Sequence, residues 1–121
     1  MFSEALLDRF FHPRHVGDLP APSASATEGN PICGDVVHID LDVADGTVAA
    51  ARFRTMGCAV AIAASEALCE LVAGQPVAVA QFLHLSEIVA TLGGIPPNRD
   101  SCAEAPLAAF RSALRGQLAP G

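Results

Sequence analysis

The run Val36-Val37-His38-Ile39-Asp40-Leu41-Asp42-Val43 constrains this chain more than any other stretch. Val37, Ile39, Leu41 and Val43 face one way; Val36, His38, Asp40 and Asp42 face the other. Strict alternation is the period of a half-buried strand. Asp45-Gly46 follows, a pair suited to a two-residue hairpin turn, and residues 47–56 supply the return strand. The chain therefore reads as a hairpin over about 36–56.

Register follows from the side chains. Pairing straight across Asp45-Gly46 sets Ile39 against Arg52, which is wrong for a core position. A shift of one residue sets Ile39 against Phe53 and Leu41 against Ala51. One extra residue, a β-bulge, is therefore predicted near Val48–Ala50. In either register Cys33 falls opposite residue 58 or 59, so the hairpin alone brings Cys33 and Cys58 to one end of the sheet.

The flanking segments read as follows. Residues 3–11 predict a short helix with Ser3 as N-cap and Leu6, Leu7, Phe10 and Phe11 on its apolar side. Pro13 stops it, and His12 to Gly17 turn the chain. Residues 18–30 are rich in Pro, Ala and Ser and read as an extended, mobile segment with one edge strand near Ala24–Glu28. Gly57 ends the hairpin. A helix over Cys58–Ala73 follows, with Ile62, Ser65, Cys69 and Val72 on one face, Leu68 and Leu71 beside it, and Gly74 closing it. Residues 76–83 and 85–92 predict two short helices, and 93–98 a loop. The last helix carries Leu107, Phe110, Leu114 and Leu118 on one side. Its start has two readings: a Ser101/Glu104 capping box with Cys102 at the first helical position, or Pro106 at that position with Cys102 on the preceding loop.

A chain of 121 residues suggests one domain over 1–121. Its net charge of −6 argues against nucleic acid, whose binders need a basic face. No apolar run reaches the roughly 18 residues of a membrane span. Glu4, Asp8 and Arg9 stand where a signal peptide needs an apolar core. Four cysteines without such a signal point to a reducing compartment, the cytoplasm, where they serve as ligands, nucleophiles or core residues.

Cys33, Asp35, Cys58 and Cys102 offer three thiolates and a carboxylate, a donor set for tetrahedral zinc or for iron–sulfur chemistry. Any one cysteine is more often a small core residue. The shared hairpin end makes function the better reading for Cys33 with Cys58, while spacing alone leaves Cys102 open. Cys58 belongs at a helix N-terminus, which favours thiolate. Cys69 lies roughly 16 Å further along that helix and reads as core. His12 and His15 read as exposed turn residues, His84 as unremarkable, and His38, Asp40 and Asp42 as a solvated strand face.

Four motifs carry a family resemblance. His12-Pro13-Arg14-His15-Val16-Gly17 is similar to the family phrase Asn-Pro-Arg-Asn-Val-Gly. Asn30-Pro31-Ile32-Cys33-Gly34-Asp35 is similar to its Cys-Gly-Asp loop, and Ala51 to Ala59 to its second cysteine motif. Ile95-Pro96-Pro97 followed by Cys102 is similar to the third. In this order the chain resembles the NifU-like (IscU-type) iron–sulfur cluster assembly scaffolds over nearly its whole length.

The resemblance implies an α+β fold of the IscU/SufE-like kind, a three-stranded antiparallel sheet covered by helices. It implies transient assembly of a cluster, [2Fe-2S] or another type, on Cys33, Cys58 and Cys102. Asp35 would keep the cluster labile or complete a Zn2+ site. Sulfur would come from a cysteine desulfurase, with Cys102 as first acceptor, and the cluster would pass to acceptor proteins. A scaffold of this kind is not an enzyme. Two departures stand out. Ser101 occupies the position of the family's His before the third cysteine; SufU-type relatives also lack that His but carry an insertion that this chain does not have. Pro96-Pro97-Asn98-Arg99 replaces the family's Pro-Pro-Val-Lys, which weakens the expectation of docking to an Hsp70-type chaperone. Ala61 and Ala63 stand where Ser is frequent. The readings rank as cluster scaffold, then zinc-dependent SufU-type sulfur acceptor, then divergent interaction protein with a degenerate site.

Overall fold

The structure, a computed structural model, describes residues 2–117. Three strands, β1 (Ala24–Asn30), β2 (Asp35–Ala44) and β3 (Thr47–Met56), form an antiparallel sheet in the order β1-β2-β3. Ile39 pairs with Phe53 and Leu41 with Ala51, as the side-chain pattern requires. The register shifts between Asp42 and Val43: Asp42 faces Ala50, Val43 faces Val48, and Ala49 is the extra residue. This bulge resets the phase of β3, so that Val48 joins Ala51 and Phe53 in the core. The turn residues Asp45 and Gly46 have φ of +52° and +73°, the left-handed pair that a tight hairpin of this twist demands.

Among the described residues, five helices complete the fold. Ser3 caps α1 (Glu4–Phe11): its Oγ accepts the Leu6 N–H at 3.0 Å and donates to the Leu92 carbonyl. The main helix, α2 (Ala59–Val72), packs against α1, the sheet and α5 (Asp100–Arg115). It is buried nearly all round; Ile62, expected on its core face, and Leu71, expected beside that face, are only half-buried. The short helices α3 (Val77–Ala80) and α4 (Leu85–Thr91) are briefer than expected.

The start of α5 excludes the second sequence reading and comes two residues ahead of the first. The helix begins at Asp100, so Cys102 lies in its first turn and Pro106 lies inside it. Pro106 has no N–H for the carbonyl of Cys102. Burial of Cys102, Ala103, Ala105, Pro106, Leu107, Ala109 and Phe110 offsets that lost bond. Leu118, assigned to this helix from sequence, lies outside the described residues.

The segment before the hairpin is tied down rather than loose. β1 runs two residues beyond its expected end, and every one of its residues pairs with β2. Ahead of it, the Ser23 N–H donates to Leu41 O at 2.9 Å and the Leu19 N–H to Asp40 Oδ2 at 3.1 Å. The outer edge of β3 is covered too: Phe53 exchanges backbone bonds with His15 and Gly17, and Val48 with Gly74 and Gln75. An edge covered in this way offers little to a stray strand. Among the described residues no helix is long and apolar enough to cross a membrane.

Candidate metal centre

The end of the sheet where β1 meets β2 gathers the thiols. Gly34, with φ +74°, turns the chain between the two strands and leaves Cys33 exposed at the tip. Asp35 opens β2 and is 2% exposed. Cys58 is the N-cap of α2, its Sγ accepting the Ala61 N–H at 3.5 Å. Cys102 arrives from the first turn of α5 and is fully buried.

Cys33, Asp35 and Cys102 bring their ligand atoms within 4.8 Å of one another. Cys33 Sγ lies 2.9 Å from Cys102 Sγ. Cys58 joins them, its Sγ 3.6 Å from Asp35 Oδ2 and its N–H donating to Asp35 Oδ1 at 3.0 Å. Cys33 Sγ also sits 3.5 Å from the Ser101 hydroxyl. Burial pushes the Cys102 thiol well above its ordinary value, and the sulfurs of Cys33 and Cys58 push it further. A bound cation reverses that preference, because it favours thiolate over thiol. Three sulfurs and one carboxylate suit zinc or an iron–sulfur cluster. Exposed Ile32, Val36 and Met56 surround the tip with apolar surface.

Cys69 lies outside this site. It is fully buried in the core, and burial pushes its thiol far up, with the Glu66 charge adding to the effect.

Two polar groups depart from their sequence assignments. Asp40 is not a solvated strand residue; it is 4% exposed. Burial would raise its carboxyl, yet the Ser25 hydroxyl, the Leu19 N–H and His38 hold it below the ordinary value. His38 bridges Thr27 Oγ1 at 2.8 Å and Asp40 Oδ1 at 2.7 Å. Asp18, His38 and Asp40 do cluster closely enough for a cation. However, Arg54 already holds Asp18 at 2.6 Å and both His38 nitrogens have partners, so the cluster reads as a brace for the crossing segment.

His15 is likewise not a plain turn residue. Its ring Nδ1 lies 2.6 Å from Oε2 of the fully buried Glu66, whose Oε1 accepts the Arg14 and His15 N–H groups at 2.8 Å each. Burial pushes Glu66 up, but Glu70, His15 and those N–H donors outweigh it and keep it ionised. Burial raises Glu70 in turn, despite its pairing with Arg9 at 2.9 Å. This network pins the His12–Gly17 turn to α2. A surface groove of about 590 Å³, lined by Leu71, Val79, Phe82 and His84 among others, lies at the other end of α2 from the thiols.

The chain and its fold have known relatives. Residues 1–116 match the model of the NifU-like N terminal domain. Iron-sulfur cluster assembly scaffold protein IscU 1 of Archaeoglobus fulgidus is 33% identical over 114 residues, covering 94% of this chain and 74% of that protein. IscU of Escherichia coli is 35% identical over 105 residues, covering 84% of this chain and 81% of that protein. In fold, a Fervidobacterium islandicum protein solved as a SUF-system scaffold candidate matches with TM-score 0.80 at 18% identity, over 93% of this chain and 96% of its own. A NifU-like N-terminal domain from Brucella abortus matches with TM-score 0.74 at 20% identity, over 93% of this chain and 91% of its own. Matched by that family model over nearly its whole length, the chain belongs to the NifU-like N-terminal domain family.

Proposed function

We propose that this protein is a scaffold on which an iron–sulfur cluster is assembled and from which it is handed on, with Cys33, Cys58 and Cys102 as sulfur ligands and Asp35 as the oxygen donor. The observation that carries the reading is the convergence of these groups from three separate segments: the β1–β2 loop, the N-cap of α2 and the first turn of α5. Thiolates hold iron–sulfur clusters, and a carboxylate is a harder, less matched ligand to the same iron. An exposed Cys33 beside a buried Cys102 makes a site with one open side, which suits cargo that must enter and leave.

In this reading a cysteine desulfurase supplies sulfur and acceptor proteins take the cluster. The apolar rim of Ile32, Val36 and Met56 gives such partners surface to bury around Cys33. The four free thiols call for a reducing compartment, the cytoplasm. Zn2+ fits the same donors and would occupy the site in place of the cargo.

The experiment is anaerobic reconstitution with iron, sulfide and a desulfurase. The expected result is visible sulfur-to-iron absorption, lost when Cys33, Cys58 and Cys102 are replaced together. Absence of that absorption in the native chain rejects the reading.

A further inference from the structure

Asn30 carries neither sulfur nor charge, yet its side chain touches both halves of the site. It is the last residue of β1, pairs with Asp35, and is 8% exposed. Its Oδ1 accepts the Ile32 N–H at 3.0 Å, which shapes the loop that bears Cys33. Its Nδ2 donates to the Ser101 carbonyl at 2.8 Å, in the helical turn that bears Cys102. Its own carbonyl accepts the Gly34 N–H at 2.7 Å. One buried amide therefore spans from the loop of the first cysteine to the helix of the third.

We propose that Asn30 is a positioning residue of the metal centre: its carboxamide holds the Cys33 loop against the first turn of α5 and so sets the affinity of the site for a thiolate-binding metal. The proposal rests on reading Cys33 and Cys102 as ligands. Pro31, Ile32, Cys33 and Gly34 are all exposed, so little packing restrains them. Without the amide, the loop has to be ordered when the metal binds, and that ordering subtracts from affinity. Partners outside the ligand shell act in this way at metal sites generally, costing ten- to a hundredfold in affinity when removed.

The two ends of the amide are separable. Asn30→Asp keeps an acceptor for Ile32 but sets an oxygen against the Ser101 carbonyl oxygen, so only the bridge to α5 is lost. Asn30→Ala loses both ends. Asn30→Ser keeps a short acceptor for the loop, cannot reach Ser101 and adds no charge.

The test is a titration of reduced, metal-free full-length chain with Co2+, read by sulfur-to-cobalt charge-transfer absorption, beside denaturant unfolding of the same metal-free proteins. The native chain and Cys33→Ser serve as references. Asn30→Asp and Asn30→Ser are expected to give the native band per bound cobalt with Kd weakened about tenfold. Native Kd in either folded variant, with a lowered unfolding midpoint, makes Asn30 a turn residue only and overturns the proposal. A native chain without the band, or a Cys33→Ser protein that keeps it in full, removes the ligand reading and the proposal with it.

Discussion

Gly57 and Asp35 are matched by contact. A Cβ placed on residue 57 would lie 2.1 Å from Asp35 Oδ1, closer than any side chain tolerates. The carboxylate lies across the backbone where β3 hands over to α2 and accepts the Cys58 N–H. Gly57→Ala must therefore drive Asp35 out or shift the strand–helix junction. We expect a stability loss of about 1–3 kcal/mol in denaturant unfolding, together with weaker Co2+ binding. Native values for both contradict this account of Gly57.

Asp35→Ala has two expected effects of different kind. The Cys58 N–H loses its acceptor, costing about 1–3 kcal/mol. A reconstituted cluster nevertheless lasts longer, because the oxygen donor is gone from the thiolate set. The decay of visible absorption under air measures this, and a faster decay than in the native chain contradicts it.

Much of this arrangement is legible in the sequence, and what is not legible has identifiable causes. The bulge follows from Ile39 and Phe53 alone, because a core residue cannot accept Arg52 as its partner. The burial of Asp40 does not follow from β2, since the groups that cover it, Leu19 and Ser25, come from a segment with no periodicity of its own. Glu66 carries a signal in the sequence: it lies three residues before Cys69, on the buried side of α2. Its partners come from the His12–Gly17 turn, whose place on α2 is a tertiary fact. Helix propensity alone argues against a helix running through Pro106, and packing overrides it.

Asp40 predicts part of the acid limb of stability. Its folded carboxyl lies below the ordinary 3.8 because hydrogen bonds outweigh burial. A depressed carboxyl contributes stability that is fully present above its unfolded value and is lost as pH falls through the folded one. Unfolding free energy should therefore drop below about pH 4, and Asp40→Asn should flatten that slope. An unchanged slope in the variant assigns the acid limb to other groups.

Cys69→Ser should leave Co2+ binding at the native level and cost about 1–3 kcal/mol of stability, since a hydroxyl replaces a thiol at a site with no exposure. In the native fold Cys69 should also resist alkylation, because burial keeps it as thiol. Loss of cobalt in Cys69→Ser contradicts its place in the core.

The burial of Cys102 bears on how sulfur enters. Sequence resemblance puts Cys102 forward as first acceptor, but in this fold it is fully buried while Cys33 is exposed 2.9 Å from it. We therefore expect a donor persulfide to meet Cys33 first. In that route the Cys33 thiolate would attack the terminal sulfur and the donor thiolate would leave; Cys102 would then take the sulfur, its thiol proton passing to the departing Cys33 thiolate 2.9 Å away. Relay predicts that Cys33→Ser lowers persulfide on Cys102 at least tenfold, while Cys102→Ser leaves persulfide on Cys33. Mass spectrometry after brief exposure to a desulfurase and cysteine distinguishes the routes. Full loading of Cys102 in the Cys33→Ser protein shows instead that the first turn of α5 opens to the donor directly.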